Sequence, residues 1–236
     1  MTSQTATTAK PMSLDQARFN MIEQQIRPWE VLDANVLELL SRVHREAFVP
    51  AAHQALAFAD MELPLTHPAV EGQCLLAPKV EARQLQDLQL KPTDKVLEVG
   101  TGSGYMAALL ASLAQRVVSI EIDPNLARNA RENLQKAGIT NADVRTADAA
   151  ANQFAACTAE GPFDAIVLSG SVAEVPPALL TLLAPGGRLV AIVGQEPVMR
   201  ATVVTRVGDA SFQTAQPWDT VAPRLQNFPE PSRFQF

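Results

Sequence analysis

Between residues 95 and 194 short apolar runs alternate with helix-like stretches, and this alternation restricts the fold more than any other feature. KVLEVG, RVVSIEI, ADVRTAD, FDAIVLSG and RLVAIVG read as five strands. YMAALLASLA, PNLARNARENLQKAG and PPALLTLLAPGG read as helices between them, the last broken at Pro185–Gly187. Strand and helix in turn, joined by short connections, predict a parallel sheet covered on both faces, because each crossover helix must bury its apolar stripe on the sheet. The stretch from Val198 partly alternates and carries Gly208–Asp209, which predicts an antiparallel hairpin at the sheet's edge. The expected fold class is α/β, a doubly wound, mostly parallel sheet with antiparallel edge strands.

The N-terminal third lacks this rhythm. Residues 1–12 are rich in Thr, Ser and Ala and read as a disordered tail. A helix is expected over 13–27, capped by Ser13, with Phe19, Ile22 and Ile26 on its inner face and Pro28 at its end. A second helix is expected over 33–43, capped by Asp33. Prolines 50, 64 and 68 then break the chain, 67–78 reads as a loop, and Pro78 opens a helix to Leu88. The chain thus divides into a tail (1–12), a helical extension (13–90) and an α/β domain (91–236).

The net charge is -6, with no dense Lys/Arg run, so nucleic acid is a poor partner. No run reaches the ~20 apolar residues that span a bilayer, and the N-terminus has no apolar signal region. A cytoplasmic protein with no membrane partner is the expectation. Cys74 and Cys157 are too few and too far apart for a disulfide framework or a metal site. His44, His53 and His67 form no local metal motif and read as structural or surface groups, though one would serve as a base if the acceptor were a phenol or an amine.

The sharpest motif is Glu98-Val99-Gly100-Thr101-Gly102-Ser103-Gly104-Tyr105, between a strand and a helix. Gly100 and Gly102 permit a tight turn and close approach of a ligand to the backbone, and Gly104 permits close helix–strand packing. The spacing G-x-G-x-G differs from the G-x-G-x-x-G that seats a pyrophosphate, which argues against a nicotinamide dehydrogenase. Glu98, just ahead of the turn, suits an amine-bearing ligand better than an anion. Glu121 ends the next strand about twenty residues on, where an acid accepts both hydroxyl protons of a ribose. Asp123 reads as a helix cap before Pro124. Asp148 ends the third strand, placed to accept a proton from an adenine amino group. Asp164 reads as support for the sheet.

VLEVGTGSGYMAALLA, SIE and FDAIVLSG together resemble the class I, Rossmann-like S-adenosylmethionine-dependent methyltransferases. More narrowly the chain resembles the protein-L-isoaspartate O-methyltransferase family. MIEQQIRPWEVLDANVLELLSRVHREAFVP, FADMELPL and APGGRLVAIVG are similar to that family's opening helices and V-P-R-E-x-F-V-P signature, its Y-x-D-x-x-L-P segment and its L-x-x-G-G-R-L-V-x-P-V-G region. The resemblance implies S-adenosyl-L-methionine as methyl donor, held at Glu98, Gly100, Gly102, Gly104, Glu121 and Asp148, with Thr101, Ile122 and Ala149 beside them. It implies isoaspartyl peptides or proteins as acceptors. Arg45 and Glu46 either pair to fix their lobe or orient an acidic acceptor. Trp29, Phe48, Phe58, Trp218 and Phe228 are aromatic candidates for an acceptor pocket or for packing.

Three departures stand out. The family's acceptor loop reads G-Q-T-I-S-Q-P; here Gly72-Gln73-Cys74-Leu75-Leu76-Ala77-Pro78 puts Cys74 at the threonine and Leu76 at the active hydroxyl position. The family's G-D-G-x-x-G is here Ala147-Asp148-Ala149-Ala150-Ala151-Asn152, and His44 replaces the proline of P-R-E. The donor site therefore matches the family while the acceptor site is remodelled. A small-molecule acceptor and a donor-binding regulatory protein without turnover are the rival expectations. Oligomeric state is not legible.

Overall fold

The computed structural model describes residues 12–230. The expected disordered tail, apart from Met12, lies outside the described residues.

A seven-stranded sheet forms the centre, in the order β5-β4-β3-β6-β7-β8-β9. Here β3 is Lys95–Val99, β4 Arg116–Glu121, β5 Ala142–Thr146, β6 Phe163–Val172, β7 Leu183–Gln195, β8 Val198–Arg206 and β9 Phe212–Thr220. The first five of these are parallel, whereas β8 and β9 run antiparallel to their neighbours. The expected turn at Gly208–Asp209 is present, closed by Val207 N–H donating to Ser211 O at 2.9 Å. Neighbouring strand residues serve opposite faces. Val96, Val117 and Val167 join one apolar cluster with the N-terminal helices. Leu97, Val118 and Ile166 join a second cluster with Phe163 and Leu183. Burial on both faces explains the nearly continuous apolar runs.

Helices α4 (Tyr105–Leu113), α5 (Pro124–Lys136), α6 (Ala151–Thr158) and α7 (Pro177–Leu180) lie among these strands. Asp123 caps α5, its carboxylate accepting from Asn125 and Leu126 N–H at 2.7 and 3.2 Å. Asp164 holds the sheet, accepting from Lys95 N–H at 2.8 Å. Asn152, where the resembling family has its last glycine, adopts φ 48°; Asn is a side chain that tolerates this left-handed region.

The N-terminal part holds α1 (Leu14–Met21), α2 (Ala34–Arg42) and α3 (Pro78–Leu88), with a short ribbon of β1 (Leu63–Pro64) and β2 (Cys74–Leu75). Ser13 and Asp33 cap α1 and α2 as expected. Three details differ from the sequence expectation. The first helix ends at Met21 and continues as a π-turn at Ile22–Ile26 and a 3-10 turn at Arg27–Trp29. Phe19 is exposed and Arg18 is buried in its stead, because Arg18 reaches Glu46 at 2.5 Å. The expected loop 67–78 contains β2, which pairs with β1 through Leu63 and Leu75. Met21, Ile26 and Leu40 share one apolar cluster with Tyr105, Leu109 and Ala130, so the N-terminal helices pack on the sheet's own helices. No helix among the described residues is long and apolar enough to cross a membrane.

Candidate functional site

A cleft opens at the carboxyl ends of β3, β4, β5 and β6, beside the point where the strand order reverses. In open α/β sheets this is where ligands bind, because neighbouring connections leave in opposite directions there. Its walls include Val99 and Gly100 after β3, Glu121 and Ile122 after β4, Ala147, Asp148 and Ala149 after β5, and Ser169 on β6. Gln73 and Cys74 of the 72–78 loop close one side.

The glycine turn does what the sequence requires of it. Gly100 N–H donates to Ile120 O at 2.9 Å, tying the turn to β4. Gly102 has φ 55°, and a Cβ there would stand 3.0 Å from Leu65 Cδ1. Gly104 plays a different part from the expected one. A Cβ there would meet Ala130 of α5 at 3.3 Å, so this glycine lets two helices approach, not a helix and a strand. It is not among the residues lining the cleft.

Glu121 stands at the rim of the turn. Its Oε2 accepts from Gly102 N–H at 2.8 Å and its Oε1 from Asp123 N–H at 3.0 Å. Burial raises this carboxyl above its ordinary value, while the Asp123 and Gly102 amides pull it back. The turn thus aims an acid, with lone pairs to spare, into the cleft. Asp148 lies across from it, accepting from Ala150 N–H at 3.0 Å.

Glu98 is fully buried behind the turn. It borders a small space lined by Cys74, Leu76, Glu81, Thr101 and Ser169, next to the main cleft. Its oxygens accept from Ser119 Oγ at 2.6 Å and Ser169 Oγ at 3.0 Å. Thr101 Oγ1 lies 2.5 Å from Ser119 Oγ and extends the chain of hydroxyls. Burial pushes the Glu98 carboxyl up to about 8, the two serines opposing it. The sequence reading missed Ser119 and Ser169. The available signal was a lone hydroxyl inside the buried run RVVSIE, and the β3–β4 register sets Ser119 directly opposite Glu98.

The 72–78 loop is built around Arg45. This buried guanidinium pairs with Glu81 and donates to Leu76 O at 2.6 Å and Ala57 O at 3.1 Å. Arg45 and Glu46 therefore do not pair with each other; Glu46 pairs with Arg18. Leu76 is 5% exposed and sits in an apolar cluster with Val80, Met199 and Trp218. Cys74 is partly buried, and its thiol is pushed up to about 12 by burial and by Glu62 beside it, so it is a neutral thiol near neutral pH.

None of the three histidines lines the cleft. His53 and His67 meet each other edge on, 6.3 Å between ring centroids. Of the five aromatic candidates Phe228 reaches the cleft wall. Phe48 packs on Tyr105, Phe58 lies beneath Arg18, Trp29 lies under Lys79, and Trp218 Nε1 donates to Asp87 at 2.8 Å.

The family model for protein-L-isoaspartate(D-aspartate) O-methyltransferase matches residues 16–221. A protein-L-isoaspartate O-methyltransferase of Koribacter versatilis is 42% identical over 194 residues, 82% of this chain and 82% of that protein. One from Methanoculleus marisnigri is 42% identical over 177 residues, 75% of this chain and 77% of that protein. Among solved structures, a protein of the same description aligns at TM-score 0.74 and 21% identity, covering 89% of this chain and 66% of that one. A putative enzyme of this kind from Plasmodium falciparum, in complex with S-adenosyl-L-homocysteine, aligns at TM-score 0.69 and 21% identity, covering 88% of this chain and 98% of that one. At that identity the two structures establish the fold, a class I, Rossmann-like methyltransferase architecture. The match of the family model across both halves of the sequence, with the two relatives, settles the membership: this chain belongs to the protein-L-isoaspartate O-methyltransferase family.

Proposed function

We propose that the chain transfers a methyl group from S-adenosyl-L-methionine to the carboxylate of isoaspartyl residues in damaged peptides and proteins. The observation that carries the reading is the family match over residues 16–221, which includes the 72–78 loop and the strand ends that line most of the cleft.

The cleft fits such a donor. Glu121 has free lone pairs that would accept from ribose hydroxyls, Asp148 lines the same cleft and would accept from an adenine amino group, and the glycines keep side chains out of the way. The Plasmodium falciparum structure with S-adenosyl-L-homocysteine supports the same choice of ligand. Glu98, buried and held by Ser119 and Ser169, lies behind the turn and borders the small space next to the cleft, not the cleft wall itself. Bound in the cleft, the donor supplies a methyl already activated by a sulfonium.

The chain's own work is then to align and to exclude water. A carboxylate acceptor is ionised near neutral pH and needs no base. Its oxygen forms the bond to the methyl carbon as the carbon–sulfur bond breaks, and the electron pair stays on sulfur. No proton moves in this step.

The test is methyl incorporation from labelled donor into an isoaspartyl peptide and its aspartyl twin, with donor binding verified first. Incorporation specific to the isoaspartyl peptide is expected. Equal or absent incorporation with donor bound overturns the reading. One observation favours a second acceptor class: the residue at the family's hydroxyl position, Leu76, is buried among apolar side chains. Incorporation into a small molecule, with none into isoaspartyl peptide, would select that reading.

A further inference from the structure

Beyond residue 221, where the family match ends, the chain turns back across the cleft. Residues 222–230 are pinned there from several sides. Ser171 N–H donates to Pro223 O at 2.7 Å, Leu225 N–H donates to Ser171 O at 2.9 Å, and Ser171 Oγ donates to Ala222 O at 2.8 Å. Leu225 lies so close over β6 that a Cβ on Gly170 would meet its Cδ2 at 2.8 Å. Phe228 packs edge-on against Phe154 at 5.5 Å. Arg224, Leu225, Gln226 and Phe228 thereby become cleft wall.

Between the two anchors, Leu225 and Phe228, stands Asn227. Its φ is 63°, a left-handed conformation that Asn tolerates better than most side chains. Its amide donates to Asp148 Oδ2 at 2.8 Å. Asp148 Oδ1 accepts from Ala150 N–H at 3.0 Å. Both carboxylate oxygens are thus fixed, one by the loop's own backbone and one by a residue 79 positions away. The fixed carboxylate needs that second tie. Asp148 is half-buried, and with Oδ1 alone held its carboxylate would keep rotamer freedom that the tie from Asn227 removes.

We propose that Asn227 is a positioning residue for donor recognition: carried across the cleft by the C-terminal strap, it orients Asp148 toward the adenine of the bound donor. The proposal rests on the donor reading above and adds to it a determinant of base selectivity. An Asp148 carboxylate held in place favours an amino group at the purine 6-position and disfavours a carbonyl oxygen there. The strap enforces that choice from outside the Rossmann-like core.

Calorimetry on the full chain tests this with two probes, S-adenosylhomocysteine and its 6-oxo analogue S-inosylhomocysteine. Asn227→Ala is expected to weaken S-adenosylhomocysteine by about three- to tenfold and to narrow its preference over the 6-oxo analogue. Asn227→Asp has the same shape but sets a second carboxylate against Asp148, and is expected to weaken binding by about tenfold or more. If Asn227 merely fills space, the isosteric Asp variant binds like the parent, which overturns the proposal. An affinity loss in Asn227→Ala with the base preference unchanged overturns it as well. Failure of the unmodified chain to bind S-adenosylhomocysteine removes the donor reading itself, an outcome separate from any difference among the variants.

Discussion

The Arg45 guanidinium donates to the carbonyl oxygen of Leu76 at 2.6 Å, so a charge on the N-terminal lobe fixes the backbone of the 72–78 loop. The same guanidinium pairs with Glu81 of α3, and both side chains are buried. Removing one partner of a buried ion pair leaves the other charge uncompensated, which costs about 3–5 kcal/mol. Arg45→Met is therefore expected to lower unfolding stability by about that much, and adding Glu81→Met to recover the part due to the unpaired carboxyl, while the Leu76 and Ala57 carbonyls lose their donor in both variants. Denaturant unfolding of the two variants decides; equal losses in both would contradict the pairing.

Leu76→Ser reinstates a hydroxyl at the family's position, yet the side chain points into an apolar cluster with Trp218 and Met199. Removing a buried leucine costs about 2–5 kcal/mol, and the new hydroxyl gains no acceptor ligand. The expected result is a lower melting temperature with no rise in isoaspartyl methylation. A variant that methylates faster than its parent would show that the loop rearranges on acceptor binding.

Glu121→Ala removes the carboxylate that holds Gly102 N–H and Asp123 N–H and that faces the cleft. Donor affinity should fall by about ten- to a hundredfold, the range for a hydrogen bond to a charged group. Titration with S-adenosylhomocysteine measures it, with circular dichroism to confirm the fold. Unchanged affinity in the folded variant would remove Glu121 from the donor site.

Burial holds the Glu98 carboxyl up near about 8, well above its unfolded value. The native chain then keeps a proton that the unfolded chain releases at lower pH. The contribution is fully present below the unfolded pKa of about 4.3 and is lost as pH rises through the folded pKa. Thermal melts of the ligand-free protein should show stability declining from pH 5 to 8, and Glu98→Gln should flatten that decline. Identical slopes in the two proteins would mean that Glu98 is not the group responsible.

Phe19 shows where helical spacing misleads. Apolar spacing put it on the inner face with Ile22 and Ile26; those two are buried, but 57% of Phe19 is exposed and Arg18, paired with Glu46, is buried instead. Glu46 lies 28 residues away in sequence, so no local window contains the reason. The glycine turn was legible because the constraints on it are local: a strand, glycines with positive φ, an acid at the end of the next strand. Ser119 was not, since its meaning comes from lying opposite Glu98 in the register.

The amino-acid sequence by itself determined the doubly wound sheet, the glycine turn and the acids at the strand ends, because period, turn chemistry and capping act over a few residues. Tertiary structure alone decided that Leu76 faces apolar side chains, that Arg45 answers Glu81, and that Asn227 reaches Asp148. Those outcomes depend on which distant groups burial forces together, since a buried charge or carbonyl must find a partner wherever the fold has placed one.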